Sequence, residues 1–179
     1  MDAIERLKIQ EGTMLLYPLS TMGAHVSDCP NHTVGRVTPF ETRGHVALAG
    51  TFGYELDITK IPEEDRQQIP AQTAMYQYND LIRRGDYYRI ASFLENGNYD
   101  CYMVASKDRT EALVTYVQVL SRPNFHSRRV RLKGLAPEKQ YRIEETGEVS
   151  GGDVLMQAGL LGAPLWGDYR SRLIHLTEV

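Results

Sequence analysis

Residues 38–58, TPFETRGHVALAGTFGYELDI, decide the fold class of the first half of the chain. Thr38 followed by Pro39 is typical of a helix start, with an N-cap residue before a preset first turn, and Gly50 is typical of a helix end. This pattern predicts a helix at 39–49. The β-branched, aromatic and aliphatic residues that follow predict a strand at 51–58. A helix that leads directly into a strand indicates an α/β protein.

The flanking sequence continues the alternation. Spaced apolar residues predict a helix at 3–11, and the run from Met14 to Tyr17 predicts a buried parallel strand at 13–17. An amphipathic pattern predicts a long helix at 62–84, which Pro70 should kink or split because it lacks a backbone N–H. The order of helices and strands therefore predicts a parallel sheet covered by helices.

After residue 85 the helical pattern ends and strand patterns take over. The predicted strands are 99–105, 111–120, 129–133, 140–144 and 172–177, separated by turn residues. We therefore predict two domains, an α/β domain at 1–85 and an antiparallel β-sandwich or barrel at 86–179.

The first predicted domain is too short to close a barrel. An eight-stranded α/β barrel takes roughly 250 residues, so residues 1–85 hold only two to three of its units. Open strand edges are avoided in natural domains. The chain is therefore either a piece of a larger protein or completes its sheet with another chain.

Composition excludes several classes of protein. The chain has 179 residues, of which 42% are hydrophobic and 24% charged, and its net charge is -3. These values are typical of a globular protein, and the lack of excess positive charge argues against a nucleic-acid partner. We find no apolar run that could span a membrane and no signal peptide at the amino terminus, and we predict a cytoplasmic protein with reduced Cys29 and Cys101. The sequence alone does not exclude a disulfide between these two cysteines.

The densest polar cluster is GAHVSDCPNH at residues 23–32, predicted to be a loop after the first strand. Its candidate side chains are His25, Asp28, Cys29 and His32, with His45 as a possible fourth metal ligand. The spacing does not match a structural zinc pattern. Three interpretations stay open: a metal site, a wall facing a substrate, and a loop of satisfied polar groups. A fourth interpretation is that Cys29 is a nucleophile with His25 or His32 as its base, but sequence neighbours alone do not indicate such a site.

The sequence also contains one basic run and two pairs of carboxylates that could take part in binding or catalysis. The most basic run is His126, Arg128, Arg129, Arg131 and Lys133, which alternates with apolar residues and indicates the solvated face of a strand. The carboxylate pairs are Asp2 with Glu5 and Glu55 with Asp57. Only Asp57 lies where a barrel places catalytic groups, and a capping or ion-paired role is the simpler interpretation.

Long segments resemble the carboxyl-terminal part of microbial α-galactosidases of glycoside hydrolase family 36. They are DAIERLKIQEGTMLLYPLSTMGAHVSDCPNH at 2–32, GRVTPFETRGHVALAGTFGYELD at 35–57 and LIRRGDYYRI at 81–90. RLKGLAPEKQYRI at 131–143 and SGGDVLMQAGL at 150–160 match more loosely. The resemblance implies the last units of a (β/α)8 barrel followed by an antiparallel β-sandwich domain.

The resemblance also implies a retaining hydrolysis of terminal α-galactosyl residues by two aspartates. The family's nucleophile lies in a Lys-Trp-Asp motif that this chain lacks, since its single Trp is Trp166. The acid/base lies in a Ser-Asp-x-x-Asp-Ala segment, of which only Asp2 and Ala3 remain, with Met1 before them. We therefore assign no catalytic residue, metal or cofactor to this chain and expect it to be inactive alone.

Departures from the family pattern are small, with Thr33 in place of a usual Gln and Pro70 in the long helix. The resemblance implies α-galactoside oligosaccharides such as melibiose or raffinose as substrates and a homo-oligomeric full-length protein. An α-N-acetylgalactosaminidase or a galactosyl transferase within the family stays open. The alternative from another class is a non-catalytic carbohydrate-binding or assembly module. Its candidate aromatics are Tyr87, Tyr88, Tyr99, Tyr102, Tyr116 and Tyr141.

Overall fold

In the computed structural model, which describes residues 1–123, 128–162 and 165–179, the chain divides into two units. The first unit is Met1–Arg83 and the second is Arg84–Val179. No helix among the described residues is both long enough and apolar enough to cross a bilayer.

The first unit is an α/β arrangement around two parallel strands. Its helices are α1 (Ala3–Met14), α2 (Phe40–Ala47), α3 (Glu63–Arg66), α4 (Ile69–Ala74) and α5 (Asn79–Arg84), and its strands are β1 (Gly23–Ser27) and β2 (Thr51–Glu55). Short 3-10 turns lie at Leu19–Thr21 and Met75–Tyr78. The two strands pair in parallel, with Gly23 opposite Thr51 and Ser27 opposite Glu55. Ala24, Val26, Phe40, Ala47 and Ile61 form a core between the strands and α2.

The strand predicted at 13–17 is wrong. Helix α1 runs on to Met14, and Leu15, Leu16 and Tyr17 are 69%, 80% and 61% exposed instead of buried in a sheet. The first strand is β1, in which Ala24 and Val26 are fully buried and His25 between them is exposed. Alternation, and not the continuous apolar run, was therefore the strand signal in this part of the sequence.

The other predicted elements of this unit agree more closely with the structure. Helix 39–49 forms as α2, but Thr38 is not its cap, because Pro39 holds the N-cap position and no side chain caps the helix. The strand predicted at 51–58 ends early, at Glu55. The predicted break of the long helix is confirmed, since α3, α4 and α5 replace it and Pro70 lies in the first turn of α4.

The second unit is built on an antiparallel sheet. Its strands are β3 (Asp86–Ala91), β4 (Tyr99–Ala105), β5 (Glu111–Gln118), β6 (Arg129–Val130), β7 (Gln140–Ile143), β8 (Val149–Gly151), β9 (Leu160–Leu161) and β10 (Arg170–Glu178), and its helices are α6 (Phe93–Asn96) and α7 (Gly152–Gln157). Six strands form one sheet in the order β3-β4-β5-β10-β7-β8, and β6 pairs separately with β9.

The core of this unit lies between two layers. Met103, Val114 and Leu176 come from the six-stranded sheet, and Leu155 and Leu160 come from α7 and β9 on the other side. The predicted all-β class is therefore confirmed. Individual strands differ from the prediction, because 129–133 shortens to Arg129–Val130 and 172–177 lengthens to Arg170–Glu178. Strands β3, β8 and β9 and helices α6 and α7 were not predicted.

We expect hydrogen exchange to separate the two units. Strands β4, β5 and β10 each have a neighbour on both sides, whereas β1 and β2 pair with each other within the described residues. A two-stranded sheet is marginally stable alone. Amides of β5 should therefore exchange on the order of a hundredfold more slowly than those of β1, measured by mass spectrometry on the 179-residue chain. Equal protection of β1 and β5 in a monomer would contradict this expectation.

Candidate functional site

The candidate site lies at the carboxyl ends of β1 and β2. Parallel strands of α/β proteins carry their functional groups at this end. Asp28 follows β1, Asp57 lies just beyond β2, and residues 28–39 connect β1 to α2. A small pocket opens here between the start of α1 and residues 28–38. The pocket includes His25, Asp28 and Cys29 of the polar cluster at residues 23–32.

Arg43 fixes the base of the pocket. Arg43 is 5% exposed, and its side chain donates from Nη1 to Ser27 O at 2.7 Å and from Nε to Thr38 O at 3.1 Å. Its Nη2 lies 2.8 Å from Asp65 Oδ2, and its guanidinium lies over the Phe40 ring. One buried cation thus joins the end of β1, the loop that leads into α2, and helix α3. The sequence analysis did not single it out.

Asn31 shapes the loop after β1. Asn31 is 5% exposed, and its Oδ1 accepts from the backbone N–H of Thr33 at 3.0 Å and of Val34 at 3.1 Å. Its own backbone bonds to Arg36 O and to Gly35 N, at 2.9 and 2.8 Å. The loop is therefore a tight turn held by its own first residues. Thr33 takes part through its backbone, so the departure from Gln at this position leaves the turn intact.

Asp2 caps α1. Its Oδ1 accepts from the N–H of Ile4 at 3.1 Å and of Glu5 at 3.0 Å, and it forms a close ion pair with Arg36. Asp2 is 6% exposed. A carboxylate with these partners anchors the start of the helix, a role that the sequence analysis did not predict for Asp2.

The histidine and cysteine candidates do not meet at a metal site. His25 lies on the exposed face of β1 with Nδ1 3.9 Å from Glu55 Oε2, whereas the Cys29 thiol points to Thr38 O at 3.6 Å. His32 is exposed, and His45 is buried on α2, where burial lowers its pKa to about 4. Within the described ranges no group of three or more metal-binding side chains converges. Both cysteines are free.

Asp57 is held by its own loop. Its Oδ1 accepts from Thr59 Oγ1 at 2.6 Å and from Thr59 N at 3.0 Å, and Lys60 Nζ lies 2.9 Å from Oδ2. The Thr59 hydroxyl, followed by Lys60 and the Thr59 N–H, lowers the pKa of Asp57 to about 2. The group is therefore ionised at neutral pH and is a poor proton donor.

The described part of the basic run lies in and just after strand β6 of the second unit. Arg129, Arg131 and Lys133 are exposed and Val130 and Leu132 between them are buried, so the predicted alternation is confirmed. Arg128 lies over the Tyr99 ring at 3.8 Å from its centroid. His126 lies outside the described residues.

The tyrosines do not form one exposed row. Tyr141 is fully buried, with its hydroxyl donating to Arg109 O at 2.7 Å, and Tyr102 is 5% exposed. Tyr99 stacks on Tyr116 with centroids 5.8 Å apart. Tyr88 packs on the core and Tyr87 lies 5.8 Å from Tyr102. Most of these rings thus serve packing within the second unit.

Two family models match the chain in succession. The model described as Melibiase matches residues 1–85, and the one described as Glycosyl hydrolase family 36 C-terminal domain matches residues 99–176. Among curated proteins, alpha-galactosidase AgaA from Geobacillus stearothermophilus is 52% identical over 99% of this chain, and alpha-galactosidase Mel36A from Lactobacillus acidophilus is 41% identical over 99%. The chain spans 24% of the length of each, about a quarter.

Solved structures give the same result. The galactosidase domain of the alpha-galactosidase-sucrose kinase AgaSK aligns with a TM-score of 0.96 and 41% identity, over 99% of this chain and 25% of that one. A substituted form of Geobacillus AgaA in complex with raffinose aligns with a TM-score of 0.95 and 49% identity, over the same shares of the two chains. Another substituted form holds stachyose. The fold of both units is therefore that of the matching segment in these proteins.

Proposed function

Because the chain belongs to glycoside hydrolase family 36 and matches the carboxyl-terminal part of its α-galactosidases, we propose that it works as one segment of such an enzyme. In this proposal the full-length protein hydrolyses terminal α-galactosyl residues of oligosaccharides with retention. The segment supplies the last units of the α/β barrel and the β-sandwich domain. The catalytic carboxylates come from the remainder of the enzyme.

The carrying observation is the continuous match of both units to α-galactosidases, at 52% identity to one of them. Two of the solved relatives hold raffinose and stachyose, which are α-galactosides. By analogy we propose this substrate class for the full-length protein. We also propose a cytoplasmic location, supported by two free cysteines, and a homo-oligomeric state.

The chemistry explains why this segment is not sufficient. In a retaining glycosidase one carboxylate attacks the anomeric carbon while a carboxylic acid about 5 to 5.5 Å away protonates the departing oxygen. The second group then removes a proton from the attacking water. In this chain Asp57 is held ionised by Thr59 and Lys60, and the Asp2 carboxylate is occupied by the helix cap and Arg36. Asp57 is therefore not available as a proton donor.

The segment's own contribution is a rigid wall at the catalytic end of the barrel. Arg43 ties the end of β1 to α2, and Asn31 closes the turn that follows. Groups that contact a substrate need support of this type, since displacement by about 1 Å costs on the order of a hundredfold in rate.

A non-catalytic carbohydrate-binding or assembly module is the alternative. Exposed aromatics in a row on one sheet face would favour it. Tyr141 and Tyr102 are buried and Tyr99 is stacked under Arg128, so the described aromatics give this alternative little support.

We expect a chimera to be active. Residues 2–179 of this chain replace the matching segment of Geobacillus AgaA, and hydrolysis of raffinose is measured by release of galactose. The chimera should hydrolyse raffinose because the segment restores the barrel end, whereas AgaA that lacks the segment should not. Light scattering on the same sample measures its oligomeric state. A folded chimera without activity would contradict the proposed function.

A further inference from the structure

The only Asn-Gly dipeptide in the sequence, Asn96–Gly97, lies at the end of helix α6 in the second unit. Both residues are exposed. Asparagine is chemically labile, and a following glycine favours its loss of ammonia because no Cβ hinders attack by the glycine's backbone nitrogen. A Cβ built on Gly97 would meet nothing within 4 Å, so no neighbouring group crowds this position.

The folded turn holds the side-chain amide of Asn96 by four hydrogen bonds. Its Nδ2 donates to Ser92 O and to Tyr99 O, the latter at 2.7 Å. Its Oδ1 accepts from Asn98 N at 2.9 Å and from Tyr99 N at 2.8 Å. Both N–H groups of the amide and both lone pairs of its oxygen are therefore used within the turn that leads from α6 into β4.

The backbone nitrogen that would attack this amide is held as well. Gly97 N donates to Phe93 O at 2.9 Å, and Gly97 has a φ of 72°, the left-handed conformation that ends α6. The other end of the helix is capped by Ser92, whose Oγ accepts from Leu94 N at 3.1 Å. One short turn of helix therefore has to open before Gly97 N can reach the side chain of Asn96.

We propose that Asn96 is a deamidation site that becomes reactive when α6 opens locally. Gly97 N loses its proton to solvent hydroxide and bonds to Cγ of Asn96. The bond from Cγ to Nδ2 then breaks, and ammonia leaves a five-membered succinimide ring. Water adds to one of the two ring carbonyl carbons and opens the ring to aspartate or isoaspartate. The overall reaction consumes water and releases ammonia, and both the water and the base come from solvent.

The product of this reaction does not fit the closed turn. A carboxylate at position 96 has no donor for Ser92 O and Tyr99 O, and its negative charge would lie against these two carbonyl oxygens. An isoaspartate also lengthens the backbone by one methylene. Chains that have reacted should therefore keep α6 open, so that the modification permanently marks each chain in which this turn has opened.

The test follows deamidation of the folded 179-residue chain at mildly alkaline pH. Trypsin releases residues 90–107 by cleavage after Arg89 and Lys107, and mass spectrometry measures replacement of the side-chain amide by a carboxyl group. A synthetic peptide of the same residues is the unfolded reference. We expect the folded chain to react at least about tenfold more slowly than the peptide, because reaction requires local opening. Reaction at the rate of the peptide would overturn the proposal.

Two serine variants separate local from global opening. Ser92→Ala removes the cap of α6 and should speed deamidation about fivefold. Ser106→Ala is the matched control, because Ser106 Oγ accepts from Thr110 N and Glu111 N, both at 3.0 Å, in the turn between β4 and β5. It should leave the rate unchanged. Equal acceleration by both variants, or no reaction even in Ser92→Ala, would overturn the proposal.

Gly97→Ala tests the nucleophile, because its methyl group hinders attack on the neighbouring side chain. It should slow deamidation of Asn96 on the order of tenfold, and an undiminished rate would overturn the proposal. Circular dichroism verifies that each variant is folded. Hydrogen exchange of the unchanged chain needs no variant: the Gly97 amide should exchange faster than the amides of β5, because α6 opens without the sheet. Exchange of Gly97 as slow as that of β5 would contradict local opening.

Discussion

The 179-residue chain by itself should show no hydrolysis of p-nitrophenyl α-galactoside above the rate of the buffer, and Asp2→Asn and Asp57→Asn should not alter that result. Retaining hydrolysis needs one ionised and one protonated carboxyl on either side of the same bond. Asp57 has its pKa lowered to about 2 by Thr59 and Lys60, so it offers no proton at neutral pH. Asp2 is occupied by backbone N–H groups and Arg36.

The measurement is release of p-nitrophenolate by the purified chain, with the active chimera in the same assay as the positive control. Glu5 and Glu55 are the remaining members of the carboxylate pairs. Glu5 is partly buried and pairs with Lys8, whereas Glu55 is exposed and lies near His25. Activity that disappears on Asp57→Asn would require a catalytic pair inside this chain and would contradict its assignment as a segment without catalytic residues.

The fold class followed from local signals in the sequence. Pro39 and Gly50 flank a helix in the sequence, and the helix forms at Phe40–Ala47. The β-branched and aromatic segment that follows forms the strand Thr51–Glu55. Pro70 splits the next helix for a reason that is also local, since the ring removes one backbone donor. Such signals depend only on neighbours in sequence, and the structure agrees with them.

The wrong and missing strand predictions lie where contacts between distant parts of the chain decide the local structure. Leu15 and Leu16 have the composition of a buried strand but are exposed after a helix, because burial depends on partners that the local sequence does not name. Strands β8 and β9, at Val149–Gly151 and Leu160–Leu161, are too short to show a period of two. Their pairing with β7 and β6 fixes them instead.

The candidate site was predicted only in outline. Asp2 followed by Glu5 has the spacing of a capping box, a local signal that we did not use. Arg36 and Arg43 act through partners far away in sequence, and no local pattern separates them from solvated arginines. Their roles became visible only when the distances to Asp2, Ser27 and Asp65 were known.

A small change at Gly134 should destabilise the second unit far more than the same change at Gly97. Both glycines have positive φ, 71° and 72°, which favours glycine over any residue with a Cβ. A Cβ on Gly97 would meet nothing within 4 Å, whereas one on Gly134 would lie 2.2 Å from Cζ of Tyr88. Gly97→Ala therefore costs only the backbone strain, about 1 kcal/mol.

Tyr88 has little room to move away from the added methyl. Its ring packs on the core of the second unit, its hydroxyl accepts from Arg109 Nη1 at 2.6 Å, and the same guanidinium nitrogen donates to Gly134 O at 2.8 Å. Arg109 also pairs with Asp86 at 3.0 Å. Displacing the ring disturbs all of these contacts, so overpacking should add roughly 2 kcal/mol to the strain in Gly134→Ala.

The comparison is made by thermal unfolding of the 179-residue chain and its two variants, followed by the far-ultraviolet signal of the β-structure. A difference of roughly 2 kcal/mol should place Tm of Gly134→Ala about 8 to 16 °C below that of Gly97→Ala, since the unit is close to the size for which 1 kcal/mol shifts Tm by about 4 to 8 °C. Because backbone strain is the same in both variants, it cancels in the comparison. Equal Tm values would mean that Tyr88 moves without loss and that its contacts with Arg109 contribute nothing to the stability of this unit.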